Sequence, residues 1–545
     1  MLKQKLVTWD GAEGWIYNWF ICGFFDSGLQ WNPNPHLFQS KPADAWTADL
    51  LKSWGGEASI HGVPIPAGGA SVEWLPVSLL YGPKFSLLDL RTRYAALDKA
   101  MGDLHPDPWR KCYYALALIE SDRDTTAMLH FSGWDGCRLW VNGTWLFDEH
   151  SYHHIILDME RVPLRLKKGT NTILVKLDRD GCAARVVLKP GDKTRLLNPA
   201  GAPLQTGTPV ATETQLRRWA LERKTQTPFR GKTPAQLKAW QTKGRGYFQA
   251  CLGPVPAETK GPVKLVSRET TADGIERRLY HMPSEGASVV PFYVMIPAKA
   301  KRNGKYITVA HGHGGNQWRE IAGVPVGAPP WGPDPRLPYT GDHGIELARR
   351  GFVTSVCCER AFSDRNDHQG TDDPCDAAAM LAMAQGATLP MLHMNDIRRM
   401  TKFVMRLPEV KGMSGPGITG LSGGGTMTYL LGAYDTLYKA VAVWCGICRY
   451  RDYAQDGGCG MQVVPRLWPA YDVGELMGLI APRPLLLGQG TLDSTFTHLT
   501  VQSVHADALR AYKAAGVPAR VSTSFGKLAH QVDTNATAAF FEANL

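Results

Sequence analysis

The stretch "GITGLSGGGTMTYLL", Gly417 to Leu431, places one serine among five glycines between an apolar run and a helical pattern. Each glycine in regular structure costs about 0.5–1 kcal/mol relative to alanine, so such a cluster marks backbone that turns sharply or approaches another group closely. Gly420-Leu421-Ser422-Gly423-Gly424 has the GxSxG form of a nucleophile elbow, a strained strand-to-helix turn that lifts a serine hydroxyl above a sheet. In this reading Gly420 and Gly424 leave room for the crossing strand and helix, and Gly423 lets a backbone N–H approach a substrate oxygen.

The sequence around the stretch supplies that context. After Gly244 the strands "IERRLYHM" and "VVPFYVMIP" read as antiparallel, and from "YITVAHGHGG" onward short apolar runs alternate with helical segments. The alternation continues through "FVTSVCCE", "NDIRRMTKFVMRL", "KAVAVWCG", "RPLLLGQG", "VHADALRAYKAAG" and "ARVSTSF". Apolar runs rich in β-branched residues and separated by amphipathic helices predict parallel βαβ units, hence an α/β sheet over 244–545.

Serine is a weak nucleophile at neutral pH and needs a base that is itself oriented by a carboxylate. After an elbow these partners follow in the order Ser, acid, His on loops beyond later strands. Asp493 in "PRPLLLGQGTLDSTF" and His530 in "VSTSFGKLAHQVD" meet that order. His498 and His505 stand too near the Asp493 loop and read as facing outward or capping the helix "SVHADALRAY". Asp533 reads as the cap of the last helix, and Asp472 and Glu475 precede the relevant strand.

A tetrahedral intermediate also needs hydrogen-bond donors for its oxyanion. "AHGHGG" follows the strand "YITV", and one N–H is assigned to His313 and the other to Gly423, with the His311 ring stabilising the loop. The alternating His311 and His313 raise a metal reading, but Gly315 and Asn316 stand where a metallo-hydrolase motif continues with Asp and His. No metal and no cofactor is therefore expected. Cys445-Gly-Ile-Cys448 has redox spacing without a second pair, and core cysteines are the expected reading.

Residues 1–190 read as β-rich. Asn142-Gly143 between "CRLWV" and "TWLF" predicts a type I′ hairpin, and "VPLRLKKGTNTILVKL" predicts a second strand pair turning at Lys168–Asn171. Short strands so punctuated predict a β-sandwich. Residues 191–243, rich in Thr, Pro, Lys and Arg, read as a connecting segment.

The 545-residue chain, 44% hydrophobic and 20% charged, has the composition of a globular protein without a membrane-spanning run. Its net charge of +10 is dispersed, with no dense basic block, so neither a nucleic-acid nor a membrane partner is expected. Seventeen tryptophans suit sugar rings as well as cores. Eleven cysteines, many in apolar settings, predict a reduced protein. The start "MLKQKLVTWDGAEGW" lacks signal-peptide features, which favours the cytoplasm unless a leader has been removed.

On these motifs, "HGHGG", "GLSGGG", "LIAPRPLLLGQGTLD" and "GKLAHQVD", the chain from 244 onward resembles the α/β-hydrolase superfamily, in particular its acetyl xylan esterase-like and dienelactone hydrolase-like branch. The pattern "SGWDGCRLWVNG…PLRLKKGTNTILVKL" resembles the jelly-roll, galactose-binding-like modules attached to carbohydrate-active enzymes. The resemblance implies an α/β-hydrolase fold, a mostly parallel sheet flanked by helices, preceded by an all-β jelly-roll-like sandwich. It also implies a cofactor-independent serine esterase acting on an acetyl, feruloyl or methyl-uronate ester of an oligosaccharide. Two other classes stay open: a prolyl-oligopeptidase-like serine peptidase, and a carbohydrate-binding protein on a hydrolase scaffold. The long proline-rich loop Gly323 to Gly344 is either a lid carrying Trp331 for substrate stacking or a passive surface loop. Arg360 and Arg365, in "CERAFSDRNDHQGTDD", either pair with a substrate carboxylate or form structural salt bridges.

Overall fold

Nine strands from the C-terminal part of the chain lie in one sheet, and their order determines where chemistry can be placed. In this computed structural model the described residues of the first compact unit, Met1–Glu222, are 6–8, 16, 18–26, 49, 51–52, 56–57, 75–78, 87–89, 111–133, 136–150, 160–178, 181–187 and 194–197. Those of the second, Arg223–Leu545, are 223–257, 259–313, 317–326, 341–366, 374–450, 459–491, 493, 496, 498–526, 528 and 530–545. Trp331 lies outside them.

The strands of the second unit are β1 (Lys264–Thr270), β2 (Glu276–Pro283), β3 (Val289–Ile296), β4 (Lys305–Ala310), β5 (Val353–Cys357), β6 (Ser414–Leu421), β7 (Ala440–Trp444), β8 (Leu485–Gly490) and β9 (Val521–Gly526). They are ordered β1-β2-β3-β5-β4-β6-β7-β8-β9. β1, β2, β3 and β5 pair antiparallel in turn, and every pairing from β5 through β4 to β9 is parallel. β5 and β7 are buried at every position, as expected for parallel strands covered on both faces.

The described helices of seven residues or more are α1 (Pro234–Leu252), α2 (His343–Arg349), α3 (Pro374–Ala384), α4 (Leu389–Val404), α5 (Gly423–Tyr434), α6 (Val473–Ile480), α7 (His498–Ala514) and α8 (Thr534–Asn544). One core packs Phe248, Met394, Leu430, Leu476 and Val504 from α1, α4, α5, α6 and α7; another packs Trp318, Ile345 and Phe541 with Trp444. β4 pairs with β5 on one side and with β6 on the other, so the strand order reverses there. In open α/β sheets the crevice beyond the carboxyl ends at such a reversal is the binding position.

α1 runs through residue 243, where the sequence reading ends its connecting segment. A capping box joins Thr233 and Gln236 at its start, with Pro234 in the first turn. The Gln241 amide then donates to the carbonyls of Gly478, Leu479 and Ala481 at 3.2, 3.3 and 2.7 Å, fastening α1 to the end of α6.

The first unit contains an eight-stranded and a four-stranded sheet, both built from antiparallel pairs. Phe131 of the smaller sheet meets Phe147 of the larger edge-on at 6.4 Å. Gly136–Val141 and Thr144–His150 form the expected hairpin, with Asn142 and Gly143 both at positive φ, 49° and 75°. The second expected pair is corrected. Glu160–Leu166 joins the four-stranded sheet and Gly169–Asp178 the eight-stranded one, so the chain changes sheets between them. The Asn171 side chain accepts from the Lys167 N–H and donates to its carbonyl, both at 2.8 Å, which supports a corner as readily as a hairpin. Among the described residues no helix is long and apolar enough to cross a membrane.

Candidate active site

Ser422 follows β6 directly and stands at the N-terminus of α5 with φ 60° and ψ −123°. Positive φ is costly for a residue with a Cβ, and here the flanking packing imposes it. A methyl on Gly424 would run into the Ala310 carbonyl oxygen at the end of β4, and one on Gly425 would come within 2.6 Å of the Trp444 carbonyl oxygen. The glycines therefore permit α5 to start against β4 and β7, and the Ser422 N–H donates to Trp444 O at 3.0 Å.

Asp493 lies beyond β8 and His530 beyond β9, and both are buried. His530 Nδ1 is 3.0 and 3.1 Å from the two Asp493 carboxylate oxygens. With Nδ1 donating there, the lone pair of the neutral ring lies on Nε2. Asp493 is held in turn by the Gln489 amide at 2.7 Å and the Phe496 N–H at 3.2 Å, and the Phe496 ring stacks on His530 at 5.9 Å. Among the described residues no hydrogen bond joins the Ser422 hydroxyl to His530; such bonds are commonly long in ligand-free enzymes and tighten in the substrate complex.

Cys445, a core cysteine by its sequence setting, stands next to both Ser422 and the acid–base pair. It follows the Trp444 carbonyl that accepts from Ser422, and its thiol lies with Asp493 and His530 so that their ligating atoms are all within 4.8 Å of one another. The thiol donates to the Gln531 carbonyl at 3.4 Å, and burial, with Asp493 adding to it, pushes its pKa well up, so it stays protonated. The signal available in sequence was its place at the end of the strand next to the serine strand.

His311 is fully buried: its Nε2 accepts the Glu359 N–H at 2.8 Å and its Nδ1 lies 2.8 Å from the Gly312 carbonyl. Burial lowers its pKa, so the neutral ring acts as a loop brace. The Gly312 N–H is taken by the Gln317 side chain. The next N–H along the loop belongs to His313, and a methyl on Gly312 would come within 2.9 Å of Ser422 Cβ. This loop is thus in van der Waals range of the elbow.

The His313 ring lies against two cysteines. Its Nε2 lies 2.9 Å from Cys459 Sγ and 3.9 Å from Cys375 Sγ. Hydrogen bonding with Cys375 and His313 brings the Cys459 thiol down to about 6, against the effect of burial. Neither Cys375 nor Cys459 is in a disulfide.

Arg360 pairs with Asp396 at 2.9 Å and with Glu285 at 2.6 Å, and Arg365 with Asp396 at 2.8 Å. Both guanidiniums are engaged in internal ion pairs, the structural alternative of the sequence reading. Asp533 caps α8 through the Ala536 N–H at 2.9 Å, and Asp472 with Glu475 forms the capping box of α6.

No family model matches the chain, and no curated protein matches it. Among solved structures it is similar to a protein described as an acetyl xylan esterase from Bacteroides fragilis, at 15% identity and TM-score 0.48, covering 60% of this chain and 85% of that one. A methylesterase shares 17% identity at TM-score 0.46 over 66% and 72% of the two chains. A glucuronoyl esterase from Solibacter usitatus shares 14% at 0.41 over 56% and 93%. The strand order, the elbow after β6, and the placement of Asp493 after β8 and His530 after β9 make the second unit an α/β-hydrolase fold.

Proposed function

We propose that the protein is a serine carboxylic ester hydrolase. Ser422 Oγ attacks the ester carbonyl as His530 Nε2 takes its proton, and Asp493 stabilises the resulting imidazolium. The N–H groups of His313 and Gly423 receive the oxyanion. Collapse of the intermediate returns the proton to the departing alcohol, and water then releases the acyl group by the same route. The observation that carries this reading is the His530–Asp493 hydrogen bond at 3.0 Å beside an elbow serine held at φ 60°.

The substrate we propose is an ester on a carbohydrate: acetyl, feruloyl or methyl-uronate. The antiparallel first unit supports this, as does Trp145 on its surface, whose 61% exposure leaves an aromatic face available to a sugar ring. Arg360 and Arg365 are paired with Asp396 and Glu285, which supports a structural role for them over receipt of a substrate carboxylate. Short p-nitrophenyl esters test the chemistry, with release abolished in Ser422→Ala; unchanged turnover in that variant removes Ser422 from the mechanism. Mass detection of products from acetylated, feruloylated and methyl-uronate oligosaccharides tests the substrate class, and turnover of a proline-containing peptide in place of every ester would contradict it.

A further inference from the structure

His313, Cys375 and Cys459 come from three separate segments: the loop after β4, the first turn of α3, and the residue before the short helical turn Gly460–Gln462. Their side-chain ligand atoms all lie within 4.8 Å of one another. Zinc–sulfur and zinc–nitrogen bonds of about 2.3 and 2.0–2.1 Å at a tetrahedral angle place nitrogen and sulfur about 3.6 Å apart. The observed Nε2–Sγ separations of 2.9 and 3.9 Å bracket that figure.

The segments are joined independently of these three side chains. Asp376, next to Cys375, accepts the N–H of Gly460, next to Cys459, at 2.7 Å. A methyl on Gly460 would come within 2.7 Å of the Cys375 carbonyl oxygen, so the backbones approach as closely as glycine permits. The Phe362 ring packs edge-on to His313 at 5.4 Å and limits its rotation. Cys375 is buried, whereas His313 and Cys459 are half-buried.

We propose that His313 Nε2, Cys375 Sγ and Cys459 Sγ form a binding site for a thiophilic divalent cation, zinc. One imidazole and two sulfurs form a soft donor set that suits zinc and excludes magnesium or calcium. Three protein ligands leave a fourth position for water. The ion cross-links the β4 loop to α3 and to the Cys459 segment, and this holds whatever reaction Ser422 performs.

The test uses the full chain, reduced, stripped with a chelator, equilibrated with zinc and desalted before elemental analysis. About one zinc ion per chain is expected, and cobalt(II) in its place should give sulfur-to-cobalt charge-transfer absorption. Cys375→Ser and Cys459→Ser should each lower bound metal at least tenfold at the same free zinc, while Cys448→Ser keeps it. The cobalt spectrum of the unmodified chain decides the matter if a serine variant does not fold. Less than about a tenth of an ion per chain, cobalt bound without sulfur bands, equal loss in Cys448→Ser, or a Cys375–Cys459 disulfide in the protein as isolated would each overturn the proposal.

Discussion

Two groups of side chains flank the elbow helix, and they differ in chemistry and in how the chain assembles them. On one side Asp493 and His530 form a hard acid–base pair held by Gln489 and Phe496, with the Cys445 thiol close by. On the other, His313, Cys375 and Cys459 form a soft cluster. His313 links the two, because its main-chain N–H is the proposed oxyanion donor while its ring lies against sulfur. The fold fixes the acid–base pair through strand order, whereas the sulfur cluster is assembled from a loop, a helix start and a short turn, two of them joined by the Asp376–Gly460 hydrogen bond.

The largest effect that separates the two sides is expected from Ser422→Ala. It should lower kcat at least about 10^4-fold while leaving zinc content unchanged; loss of both together would merge the two sides into one site. Asp493→Asn should follow, with a fall of about 10^3–10^4-fold in kcat, because His530 loses the partner that sets its tautomer. A loss confined to KM would assign Asp493 to substrate binding.

Gly424→Ala tests the frame that both sides share. Its methyl meets the Ala310 backbone rather than a movable side chain, so the substitution should cost about 3 kcal/mol in denaturant unfolding. A neutral result would show that α5 can shift away from β4 without harm.

The smallest effect comes from Glu475 in α6, behind the elbow helix. Burial raises its pKa from 4.5 to about 7, with Asp472 and Asp507 adding to the shift. The unfolded chain releases that proton near 4.5 and the folded chain near 7, so the folded state binds more protons between them and stability falls as pH rises through that window. Glu475→Gln should therefore gain about 1–2 kcal/mol at pH 8 and nothing at pH 4, measured by urea unfolding. An equal gain at both values would assign the effect to packing.

The contrast between the two sides also accounts for what could be read in the sequence. A GxSxG turn between strand and helix specifies its own backbone, and strands that follow in a fixed order carry Asp493 and His530 to one edge of the sheet. Their juxtaposition was thus legible without coordinates. Cys375 and Cys459 stand 62 and 146 residues from His313, in segments with no periodic relation to it. The reading of His311 with His313 took its clue from adjacency, yet the two rings serve different partners. The misread turn at Lys168–Asn171 has a similar cause: local chemistry sets the bend and does not determine which sheet the next strand joins.

A serine activated by His530 and Asp493 reacts with a fluorophosphonate probe, and peptide mass mapping after such treatment locates the adduct. A single adduct on Ser422, formed in the unmodified protein and absent in His530→Ala, is the predicted result. An unlabelled Ser422, or labelling that persists undiminished without His530, would contradict it.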